Sequence, residues 1–92
     1  MSLGYAKAAL KPATLVEAQR RLSQSSLAIL DGWAASNPKQ VREWEANGQL
    51  FKMLKRAQTA ADDAIARARR DGITHLSNAE IYDLYGGPNL KL

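Results

Sequence analysis

The sequence predicts an all-α fold: a small three- to four-helix bundle with two long antiparallel helices and short helices at the turn and C-terminus. Three observations carry this expectation. The 92 residues are rich in Ala and Leu and poor in β-branched side chains, which favours helix over strand. Helix-start chemistry occurs at three places. Between those starts, apolar residues return every three or four positions. A chain of this length makes one domain. It is expected at 14–86, behind a flexible N-terminal segment at 1–13 and ahead of a tail at 87–92. Such a chain buries only roughly 60–65% of the surface it exposes when unfolded. Its stability is therefore expected on the order of 5–10 kcal/mol, and homodimerisation is one way to bury more.

The first helix is expected over 14–35. Thr14 and Glu17 have capping-box spacing, in which the hydroxyl and the carboxylate each accept an amide hydrogen bond that the helix cannot satisfy. Leu15, Ala18, Leu22, Ile29 and Trp33 form its stripe, with Ser25 and Ser26 small enough to admit a close neighbour. The second helix, 38–46, starts at Asn37-Pro38, an N-cap followed by a proline that lacks the amide otherwise orphaned there. Asn47-Gly48 is its expected stop. The third runs over 49–71, with Leu50, Leu54, Ala57, Ala61, Ala64, Ile65 and Ala68 on one face and Gly72 at its end. The fourth, about 78–85, follows a second capping box at Ser77 and Glu80. Leu76 and Ile81 are placed as a hydrophobic staple around it, and Gly86-Gly87-Pro88 stops it. Trp33, Trp44 and Phe51 lie on apolar stripes and are expected in the core.

Composition removes several classes of function. The absence of cysteine excludes disulfides, thiolate metal sites and cysteine nucleophiles. No apolar run approaches the roughly 18–20 residues needed to span a bilayer. The first 13 residues lack the apolar core of a signal peptide, so the expected location is the cytoplasm. His75 is the lone histidine and has no ligand-spaced partner. Asp62 and Asp63 are adjacent, so their side chains diverge by about 100° on a helix, and Asp63 is placed to pair with Arg67. No phosphate loop, nucleophile elbow or His–Glu metal motif is present. No catalytic residue, metal, cofactor or small-molecule substrate is expected.

What remains is binding. The leading expectation is a non-enzymatic protein-interaction module, an adaptor, inhibitor or subunit with the option of homodimerising. Its interface would use Ile81, Tyr82 and Tyr85 on the last helix, where tyrosines make good anchors. It would also use the small-residue stretch Ala61, Ala64 and Ala68. The alternative is nucleic acid. Net charge is +4, and residues 49–71 hold six cations against three anions. Lys52, Lys55, Arg56, Arg69 and Arg70 on the third helix, with Lys39 and Arg42 on the second, can meet phosphates by charge. The Gly48 junction between a short and a longer helix is also a helix-turn-helix layout, with Gln49, Lys52, Met53 and Arg56 toward a groove, although those residues are not distinctive for it.

Overall fold

The computed structural model describes residues 3–89, and within them the fold is all-α, without strands. Six helices follow in order: α1 (Gly4–Ala9), α2 (Pro12–Arg21), α3 (Gln24–Ser36), α4 (Pro38–Asn47), α5 (Leu50–Arg70) and α6 (Asn78–Tyr85). The chain forms a rod of 41 × 23 × 23 Å. Its long axis follows from α5, whose 21 residues span about 31 Å at 1.5 Å per residue. One side of α5 packs on α3, α4 and α6, and α1 closes over α3 and α4.

The expected helix at 14–35 is two helices. Leu22 is extended, and Ser23 caps α3 by accepting a hydrogen bond from the Ser26 amide. Only α5 is therefore long, and the expected pair of long antiparallel helices becomes one spine with shorter helices against it. The start of this region also differs from the expected capping box. Pro12 is the first residue of α2, and Lys11 is its N-cap without a side-chain hydrogen bond. Glu17 lies inside the helix and pairs with Arg21 at 3.6 Å. The segment at 1–13, expected to be flexible, contains α1, with Ala6, Ala9 and Leu10 buried. Its free amides find acceptors far along the chain. Ala6 N–H donates to Asp31 Oδ1 at 2.9 Å, and Lys11 N–H donates to Glu45 Oε2 at 2.9 Å.

The remaining starts and stops match the sequence. Asn37 caps α4 by accepting from the Gln40 amide, with Pro38 next. Ser77 and Glu80 complete the reciprocal capping box of α6. α4 ends at Gly48 with φ +76°, where Gln49 N–H donates back to the Trp44 carbonyl at 2.9 Å. This is the left-handed helix end that glycine adopts without steric cost. Ile29, Leu30, Val41, Leu50 and Leu54 are the largest fully enclosed side chains, each worth about 1.5–3 kcal/mol relative to exposure. Trp33 is buried in the core and meets half-buried Trp44 edge-on, with centroids 5.3 Å apart. The expected tail is tied down at its start. Trp33 Nε1–H donates to the Asn89 carbonyl at 2.6 Å, while 90–92 lie outside the described residues.

Candidate functional site

The six side chains expected to form a protein interface lie mostly inside the molecule. Ala61, Ala64 and Ala68 are fully buried, and Ile81 and Tyr82 keep only 7% of their surface. They form the inside of the packing of α5 against its neighbours, α6 included. The small-residue face that suggested a partner is thus covered by this chain's own helices. Tyr85 is half-buried, and its hydroxyl donates to Asp71 Oδ2 at 2.8 Å. That bond favours the neutral phenol and, with desolvation and the Asp71 charge, raises the Tyr85 pKa above its usual value. Tyr82 is raised by desolvation first and by the charge of Asp62 second.

The basic side chains behave differently. Lys39, Arg42, Lys52, Lys55, Arg56, Arg69 and Arg70 are all exposed, and none pairs with a described carboxylate. They do not form one patch. Lys52, with Lys55 and Arg56 one turn further along the outer side of α5, lines a shallow depression of about 390 Å³ together with those two and Thr59. Arg69 and Arg70 sit at the far end of the same helix, about 20 Å along its axis from Arg56. Arg69 lines a separate shallow pocket with Ile65, Ile73 and Leu76. Lys39 and Arg42 lie on the exposed side of α4 and line neither. The two acids that interrupt the stripe are engaged locally: Asp63 pairs with Arg67 at 2.8 Å, and Asp62 Oδ1 accepts from Gln58 Nε2 at 2.7 Å.

One feature of the surface was not visible in the spacing of apolar residues. The break between α2 and α3 leaves a groove of about 330 Å³ against α5, lined by Arg21, Leu22, Ser23, Ser26, Phe51, Lys55 and Gln58. The Arg21 guanidinium lies over the Phe51 ring, 4.6 Å from its centroid. Gln58 Oε1 accepts from the hydroxyls of both Ser23 and buried Ser26. A signal was present in Leu22-Ser23, where the stripe thins into serines before Ile29 and Ser23 offers an N-cap. Lys55 borders both the groove and the basic depression, so the two are contiguous.

His75 is exposed in the loop between α5 and α6, and its charge is a minor influence on Glu80. The hydrogen bonds that Glu80 accepts from the Ser77 hydroxyl and amide hold its carboxyl below the usual range. Among the described residues, no three His, Asp or Glu side chains gather as a metal site. No helix among them is long and apolar enough to cross a membrane. No known protein family, curated protein or solved structure matches the chain.

Proposed function

We propose that the chain is a cytoplasmic, non-enzymatic binding module whose ligand is nucleic acid, held through its phosphates by the outer face of α5. The observation that carries this reading is the cluster Lys52, Lys55 and Arg56. Three cations share one depression and have no anionic partner among the described residues. Like charges three and four positions apart on a helix repel and destabilise it slightly, so their clustering is not a source of helix stability. A row of phosphates relieves that repulsion and releases its own counterions. Lys39 and Arg42 extend the positive field from α4 and steer the approach of a polyanion.

A second reading, association with another protein or a second copy, draws on Leu84. This α6 side chain is 67% exposed and adjoins Tyr85. The two readings separate in a pull-down performed with and without nuclease, since protein partners survive the digestion.

The direct test is fluorescence anisotropy with a labelled 20-mer at several salt concentrations. Binding is expected to weaken linearly in log–log form. Replacing Lys52, Lys55 and Arg56 together by alanine is expected to lower the slope by about 2–3, close to one for each phosphate that is no longer neutralised. All three side chains are exposed, so the variant keeps its fold, which circular dichroism checks. Wild-type slope and affinity in the triple variant would remove this face from the binding site.

A further inference from the structure

We propose that the groove at the α2–α3 break receives an unpaired nucleobase, so that the ligand is a single strand rather than a duplex. This deepens the nucleic-acid reading and rests on it. The groove lies where Leu22 is extended and Ser23 starts a new helix. Its volume of about 330 Å³ stands at the lower end of the range for small-ligand sites, about 300–1,000 Å³. Phe51, Ser23 and Gln58 line it together, an aromatic ring with a hydrogen-bonded polar pair. Single strands are held by this combination, a basic track for the backbone and an aromatic face on which a base stacks.

The groove also lies where a strand on the basic face must pass. Lys55 belongs to both surfaces, so a backbone lying on Lys52, Lys55 and Arg56 brings its next base to the groove mouth. Arg21 now covers the Phe51 ring, but it is held loosely. Its side chain is 57% exposed, and its ion pair with Glu17 is long, at 3.6 Å. In the proposed complex the guanidinium either shifts from the ring to a phosphate or remains and extends the stack from its outer face, since guanidinium planes also stack on bases.

The experiment compares an eight-residue oligothymidine, an abasic phosphodiester of equal length and an eight-base-pair duplex, each titrated into the 92-residue chain. Oligothymidine is expected to bind more tightly than the abasic strand at equal salt, with a similar salt slope. Phe51→Leu keeps an apolar side chain and removes the ring. It is expected to lower oligothymidine affinity by about 5- to 150-fold, the effect of losing one stacked base, and to leave the abasic strand unchanged. Amide shifts in the unaltered chain give a readout independent of that variant's folding. Ser23, Phe51 and Gln58 are expected to move with oligothymidine and not with the abasic strand. Equal affinity and identical shifts for the two strands, with a steep salt dependence, would overturn the groove and leave the phosphate-binding face standing. Absence of salt-dependent binding to all three probes would overturn both.

Discussion

Gly87 illustrates how closely the C-terminal stretch lies on the fold. A Cβ at this position would stand 2.6 Å from Tyr82 Cδ1 and 2.9 Å from its Cβ and Cγ. Tyr82 is buried, so the ring has little room to yield. The Gly87 amide donates to the Tyr82 carbonyl at 2.9 Å, and two residues later the Asn89 carbonyl accepts from Trp33. Gly87→Ala is therefore expected to lower stability by about 1–3 kcal/mol, the usual cost of forcing atoms into a packed site. It should also shift tryptophan emission as the Trp33 indole loses its acceptor. A wild-type melting curve and spectrum in this variant would show that this close approach contributes nothing. Ser23 is a second residue with two roles. It caps α3, and its hydroxyl donates to Gln58 Oε1 at 3.1 Å on α5. Ser23→Ala is expected to cost about 0.5–2 kcal/mol in urea unfolding, with an unchanged m-value. No measurable loss would mean that the break in the chain is held by packing alone.

At the scale of the element, α6 carries titratable fastenings at both ends. Glu80, in the capping box, has its pKa lowered from the usual 4.5 by the Ser77 hydroxyl and amide. Its contribution is complete above that value and is lost as pH falls through the lower folded-state pKa. Tyr85, bonded to Asp71, and Tyr82, desolvated, have pKa values raised from the usual 10.0. Their contribution is complete below pH 10.0 and is lost as pH rises through the higher folded-state values. Helicity followed against pH should thus fall at both extremes, and Tyr85→Phe should flatten part of the alkaline arm. Identical alkaline profiles for the variant and the wild type would exclude the Tyr85–Asp71 bond as a fastening. These elements also show what can be read from sequence. The α6 cap was legible because Ser77 and Glu80 are three residues apart, and α4 was legible because Asn37, Pro38 and Gly48 are local signals. The start of α2 was not, because the Lys11 amide is satisfied by Glu45, 34 positions away. α1 was missed for the same reason: its acceptor, Asp31, lies 25 positions off on α3. Thr14 and Glu17 had capping-box spacing but lost to Pro12, which fixes a helical φ two residues earlier.

At the scale of the whole molecule, surface and interior divide the candidate residues in a way that periodicity alone does not. The spacing of Ala61, Ala64 and Ala68 correctly placed them on one face of α5, but the same spacing describes a core and an interface equally well. The deciding quantity is how much neighbouring helix the chain itself supplies. The helices packed on α5, namely α6, α3 and α4, supply enough to enclose that face. The basic residues are exposed, because charged side chains on the polar face of an amphipathic helix point to water in either case. Only their grouping required three dimensions. Ala64→Leu tests this division. Within the core, the three added carbons have no space and should cost about 1–3 kcal/mol. The melting temperature should then fall by about 4–8 °C per kcal/mol for a domain of this size. Because the neighbours belong to the same chain, the fall should not depend on protein concentration. At a face shared between two copies, the substitution would instead weaken association, and the melting temperature of the wild type would itself rise as protein is added. A melting series across a hundredfold range of concentration distinguishes the two, and a marked concentration dependence in the wild-type chain would return this face of α5 to the surface.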